Sequence, residues 1–235
     1  MNIDQYRIHS AVVQIQFPTS YLLWDCAGEI ADAMCRIWTN LELQEAKPDQ
    51  QVLRGPGVQI RTGLSQCVIA LSGEKSLEQS NIERLAESYI IWRKTLQFES
   101  LSRLSTRLVY TKEFKTLREA NAELFATGLV KWPSGRVFEQ PIDSEKNTFD
   151  LSCRFEDENA FSFIRLRAEK VEFKAELDPD FVGEPIIRTK CRAFIDFDRG
   201  LLGSVNAEKV RMDEWLKGVL HVYRRDTRKL LSEGS

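Results

Sequence analysis

A chain of 235 residues in which 33 basic side chains face 35 acidic ones carries a formal net charge of −2, and 43% of its residues are hydrophobic. That balance gives no bulk drive toward nucleic acid or an acidic membrane surface, so any such partner needs a local patch. The length is enough to bury a sizeable core as one large domain or two small ones, without help from disulfides or metals.

The opening MNIDQYRIHS has neither a basic n-region nor an apolar run, and no stretch approaches the roughly 20 apolar residues that a membrane helix needs. The five cysteines, Cys26, Cys35, Cys67, Cys153 and Cys191, are odd in number, form no CxxC pair and sit among apolar neighbours. The expectation is a cytoplasmic protein with buried, reduced thiols and no membrane contact.

In chain order, AVVQIQF at 11 to 17 is β-branched and alternating, which predicts a strand closed by Pro18. Thr19 or Ser20 then caps a helix in which Leu23, Cys26, Ile30, Ala33, Met34 and Ile37 recur at helical spacing. Three short strands follow, near 41 to 46, 58 to 62 and 66 to 72, with the GPG at 55 to 57 as the turn between the first two. Ser76 and Gln79 have capping-box spacing ahead of a second long helix striped by Leu77, Ile82, Leu85, Tyr89, Trp92 and Leu96.

A strand near 102 to 112 comes next, and Thr116 with Glu119 repeats the capping-box spacing before a shorter helix that Gly128 stops. The connection from 128 to 147 reads as an irregular loop. Beyond it the chain reads as β until about 200, with the apolar phase changing parity at Glu169 and Lys170, which predicts a tight turn or bulge there. A last helix is expected from about 206 to 231, starting at the cap candidate Asn206. The order strand, helix, strands, helix occurs twice. The fold class is therefore α+β, read as two similar halves, 1–98 and 99–235, each an antiparallel sheet packed against long amphipathic helices, or as one continuous domain.

Three pieces carry a family resemblance: the opening strand with its proline, VVQIQFP; the mid-chain strand SRLSTRLVYTKEF; and IDFD before a long C-terminal helix. With these the chain resembles an uncharacterised, sporadically distributed bacterial family of similar length. The resemblance implies an α+β fold, a bacterial origin and an accessory role, for example in defence or a toxin–antitoxin system. It implies no catalytic residues.

The most chemical-looking stretch is RAFIDFDRG at 192 to 200. Asp196 and Asp198, two apart on an extended chain, point the same way, as a metal-binding pair would. The competing reading is a solvent-facing strand face that begins with Arg188, Lys190 and Arg192 and ends with the two aspartates, its charges paired with Arg165, Arg167, Glu172 and Lys174 of the neighbouring strand. No Gly-Ser element precedes the aspartates at nucleotidyltransferase spacing, which favours the strand face. His9 and His221 are the only histidines, and GxSxG, GxxxxGK, GxGxxG and paired zinc ligands are all absent from the sequence, so no cofactor is expected.

Two further patches qualify. Arg224, Arg225, Arg228 and Lys229 form a basic stripe for nucleic acid beside Tyr223, although cations near a helix C-terminus also answer the helix dipole and Asp226 interrupts them. Trp132 and Arg136 in KWPSGR are residue types favoured in protein-binding hot spots. The expectation is a non-enzymatic protein-binding adaptor, regulator or inhibitor whose partner is another protein. The alternatives are a divalent-metal phosphotransferase or nuclease built on Asp196 and Asp198, and a nucleic-acid binder using the C-terminal cations.

Overall fold

A computed structural model describes residues 1–129, 136–137, 140–141, 148–174 and 187–232. The opening strand is β1 (Arg7–Gln16), whose Ala11, Val13 and Ile15 are buried between half-exposed neighbours. Helix α1 (Leu23–Ile37) follows and buries Leu23, Ile30 and Met34, the centre of the expected stripe. A meander then runs through β2 (Glu42–Lys47), β3 (Gln50–Gly55), β4 (Val58–Gly63) and β5 (Gln66–Ser72). The sequence predicts only three strands here. β3 escapes that reading because Gln51, Val52 and Leu53 are buried in succession, which erases the period-two signal. The GPG turn therefore joins β3 to β4, and Gly57 at φ 72° supplies the left-handed backbone that this turn requires.

Helix α2 (Gln79–Leu96) buries Ile82, Leu85, Tyr89, Trp92 and Leu96. Ser76 does not cap it: its hydroxyl donates to the Gly73 carbonyl at 2.5 Å inside the preceding turn, and Glu78 occupies the cap position with no side-chain bond. After β6 (Ser100–Leu101) and β7 (Arg103–Phe114), helix α3 (Leu117–Phe125) starts as expected. There Thr116 Oγ1 accepts from the Glu119 N–H at 3.1 Å while the Glu119 carboxylate accepts from the Lys115 N–H at 3.0 Å. Two-residue strands β8 (Arg136–Val137) and β9 (Gln140–Pro141) pair with each other.

The later β region holds β10 (Asp150–Glu156), β11 (Ala160–Lys174) and β12 (Ile187–Leu201). The break expected at Glu169 and Lys170 does not occur, since β11 pairs with β12 in unbroken register from Ala160↔Leu201 to Lys174↔Ile187. The parity change has another cause. Ile164, Leu166 and Ala168 lie under the helical layer, whereas beyond Ala168 the hairpin leaves its shelter, with Lys170 and Glu172 exposed on that face. The C-terminal segment also differs from one long helix. It comprises β13 (Val205–Asn206), a 3₁₀ turn Ala207–Lys209 capped by the Asn206 side chain, α4 (Met212–Val222), a π-helical turn Tyr223–Thr227 and α5 (Arg228–Ser232).

One antiparallel sheet of nine strands carries the fold, in the order β10-β11-β12-β7-β1-β5-β4-β3-β2, while β13 pairs with β6 apart from it. The architecture is α+β. Leu104 and Leu108 of β7, Val13 of β1 and Ile195 of β12 share one face, against which α1, α2, α3 and α4 pack their buried residues. Buried and half-buried aromatic donors tie that layer down: Trp92 Nε1 reaches Thr62 Oγ1 at 2.9 Å, Trp215 Nε1 reaches Thr106 Oγ1 at 2.9 Å, and the Tyr89 hydroxyl donates to the Ala207 carbonyl at 2.6 Å. Among the described residues no helix covers the opposite face. None of the described helices is long and apolar enough to cross a membrane.

Candidate functional site

The uncovered face of the sheet holds Asp196 and Asp198. Alternation along β12 places Phe194, Asp196, Asp198 and Gly200 there. Cross-strand register sets Phe163 and Arg107 beside Asp198, Arg165 beside Asp196, and Phe161 and Ser105 beside Gly200. The face is polar as the sequence predicts, but it is not uniformly wet. Asp196 is only 4% exposed, because flanking strands on both sides and long arginine side chains shut it in. Arg107 holds it in a two-pronged bond, Nε to Oδ1 at 2.7 Å and Nη2 to Oδ2 at 2.5 Å. The expected partner Arg165 turns away from Asp196 and grips Asp150 on β10 instead.

Asp198 has a different environment. Its nearest cation is Arg103, 3.9 Å away, and among the described residues its Oδ1 is buried without a hydrogen-bond partner. Burial, the main cause, holds its carboxyl above the ordinary carboxylate range, with Arg103 pulling the other way and Asp196 adding to the rise. A carboxyl raised on folding favours the native state below its unfolded value of 3.8, and that contribution disappears as pH climbs through the raised native value. At neutral pH the charged Asp198 is thus a net cost. Asp198→Asn is expected to stabilise the protein by roughly 0.5–1 kcal/mol at pH 7, a gain that shrinks as pH falls toward 4. Urea titrations of both proteins at pH 7.5 and 4.5 check this, and an equal or lower stability for the variant at pH 7.5 contradicts it.

As a metal pair the two aspartates are poorly disposed, since both oxygens of Asp196 are taken by Arg107. No group of three or more His, Cys, Asp or Glu side chains among the described residues is arranged to hold a metal ion. Aromatic rings and guanidinium groups do alternate across the face: Arg167 lies 4.7 Å from the Phe194 ring centre, Arg154 4.9 Å and Arg103 5.7 Å from that of Phe161. The cations are largely neutralised in place by Asp150, Glu156, Glu169 and Asp196.

The C-terminal cations fall on the π-helical turn and α5. Arg224, Arg225, Arg228 and Lys229 are exposed, but Arg225 clasps Asp226 through Nε at 2.6 Å and Nη2 at 2.8 Å, and Arg228 reaches Asp4 at 2.7 Å. Beside them opens a cleft of about 500 Å³ between this segment and the β10–β11–β12 corner. Trp132 lies outside the described residues, and of Arg136 only its place in β8 is described. His9 is exposed where the β1–β7 register shifts, His221 is exposed on α4, and of the cysteines Cys67 and Cys191 are buried whereas Cys35 is exposed.

One feature that sequence reasoning passes over is at the start of α1. Tyr21 and Trp24, 60% and 59% exposed, contact each other with ring centres 4.9 Å apart. Trp24 borders a groove of about 450 Å³ formed by Leu23 and Ala27 of α1 against Ala46, Lys47, Pro48 and Gln51 of the β2–β3 hairpin. The available signal was the position of Trp24, one residue after the buried Leu23, which puts it off the apolar stripe. No family model matches the chain, and no curated protein matches it.

Proposed function

We propose that this protein is a non-enzymatic protein-binding module that serves as an adaptor, regulator or inhibitor in a bacterial accessory system of the defence or toxin–antitoxin kind. The observation that carries the reading is the exposed Tyr21–Trp24 pair beside its groove. Two large aromatic side chains left in water at one spot cost solvation free energy that a partner recovers by covering them, and aromatic residues dominate binding hot spots. Lys47, the one charged residue lining the groove, is already paired with Glu45 of its own strand, so the partner that fits is a protein segment with an apolar side chain for the groove. Trp132 and Arg136 belong to the same reading as a second contact.

The two-halves expectation also belongs here. β1 and β7 lie side by side at the middle of the sheet, each followed by a helix, and on either side the later strands run from the edge inward, so that β5 ends beside β1 and β12 beside β7. That arrangement supports a repeated unit joined through the β1–β7 ladder.

The test is to purify the tagged chain from its native host, identify the retained protein, and measure its affinity for wild type and for Trp24→Ala. Loss of at least tenfold in Kd is expected, with stability unchanged to within about 0.5 kcal/mol because the side chain is exposed. Equal affinity of both proteins, or turnover of a small substrate by an unaccompanied monomer, overturns the reading.

A further inference from the structure

A second cleft, lined by no residue of α1, lies where the π-helical turn and α5 face the β10–β11–β12 corner. Its volume of about 500 Å³ falls in the range of roughly 300–1,000 Å³ typical of small-ligand sites. The floor is apolar: Phe155, Ile164, Phe197, Val222 and Leu230 line it. Phe155 remains 52% exposed at its edge, an apolar side chain on a strand of otherwise covered core-face residues. The π-helical turn supplies the opposite wall. Such turns widen a helix by one residue and recur at functional sites, and here the turn carries Arg225, Asp226 and Thr227 to the cleft.

The charges around the cleft are sorted. The Asp157 carboxylate accepts from the N–H groups of Asn159 and Ala160, both at 2.8 Å; Asp226 is clasped by Arg225; Glu156 is bonded by Arg154 at 2.7 Å. All three acids and Arg225 are thus satisfied by the protein itself. Two cations lack a salt bridge with any described residue. Arg199 donates to the neutral Ser162 hydroxyl at 2.8 Å and feels the Asp157 and Asp226 carboxylates only at longer range, and Lys229 forms no ion pair with a described residue.

We propose that this cleft binds a small molecule with an apolar body and one carboxylate, an alkyl or aryl carboxylic acid, whose head is held by Arg199 and Lys229 while its body lies on Phe155, Ile164, Phe197 and Leu230. The planar guanidinium matches a carboxylate in two-pronged fashion, and the ammonium adds a point charge. A cationic or uncharged amphiphile of the same length gains the floor but leaves both cations unanswered. The site shares no residue with the α1 groove, so its occupancy and partner binding are measured separately.

Sodium decanoate is the probe, titrated calorimetrically into the full chain at submillimolar concentration and low ionic strength, with decanol and decyltrimethylammonium as comparisons. One molecule of decanoate per chain is expected to bind, and both comparison compounds at least tenfold more weakly. Arg199→Gln should weaken decanoate at least tenfold, and Lys229→Glu, at an exposed position that tolerates the change, should weaken it further, whereas Lys94→Gln on α2 should leave it unchanged. Equal binding of decanol and decanoate, or undiminished decanoate affinity in Lys229→Glu, overturns the assignment of the anionic head. Absence of any saturable decanoate binding overturns the site.

Discussion

Arg107→Ala is expected to destabilise the protein by about 2–3 kcal/mol, far more than a typical surface arginine. Removing one partner of a buried pair costs about 3–5 kcal/mol, because the remaining charge is stranded in a poorly solvated place. Asp196 fits that description at 4% exposed. The discount follows from Arg107, whose side chain is 52% exposed and so admits water to the vacated site. For a chain of this size the loss corresponds to a fall of about 5–10 °C in Tm. Arg107→Lys should recover only part of it, since an ammonium cannot reproduce the paired Nε and Nη2 contacts. Arg107→Leu with Asp196→Leu together should be more stable than Arg107→Ala alone, because no charge is then left behind. Urea unfolding of the four proteins measures this. A loss below about 0.5 kcal/mol for Arg107→Ala means that Asp196 is solvated well enough to stand alone.

The same pair shows what a sequence conveys and what it withholds. Alternation along β12 correctly separates Cys191, Ala193, Ile195 and Phe197 from Phe194, Asp196 and Asp198, since face membership depends only on the local period of two. Burial of Asp196, and its choice of Arg107 over the directly opposite Arg165, depend on β7 lying against β12 and on Asp150 arriving from β10. Those are long-range pairings with no local signature. The helix stripe on α1 and the Thr116 cap were legible for the same local reason. The end of the C-terminal helix was not: an apolar stripe through Val219, Val222 and Tyr223 continues whether the chain winds as α or widens into a π turn, because both keep those side chains on the inner face. The cleft beside that turn is accordingly invisible in the sequence, where Arg225 and Lys229 read as part of a basic stripe and Arg199 carries no signal. The exposed Tyr21–Trp24 pair carries no clear signal either, because a tryptophan in an amphipathic helix looks like core until its angle around the helix is followed.

Gly200→Ala is expected to cost about 2 kcal/mol, although glycine in a strand is ordinarily a weakness. A Cβ at this position would sit 2.4 Å from Cε1 and 2.6 Å from Cζ of Phe161, and 3.1 Å from Cβ of Ser105. The two neighbours belong to β11 and β7, the strands on either side, so β12 cannot ease away from one without pressing on the other. Nor is the Phe161 ring free to swing. It is 7% exposed and lies beneath the guanidinium groups of Arg154 and Arg103, contacts worth about 0.5–1 kcal/mol each that turning the ring would forfeit. Overpacking costs about 1–3 kcal/mol, here at the upper end because neither neighbour can yield, and the entropy gained by replacing glycine returns about 0.5–1 kcal/mol, which leaves a net loss of about 2 kcal/mol. The argument makes a sharper demand on the double variant. Phe161→Ala alone should destabilise by removing a buried ring, but Gly200→Ala added to it should cost nothing or restore some stability, because its methyl then enters vacated space. The coupling between the two positions should therefore exceed about 1 kcal/mol. Additive losses would mean that glycine is required at 200 by its backbone and not by the ring that lies on it.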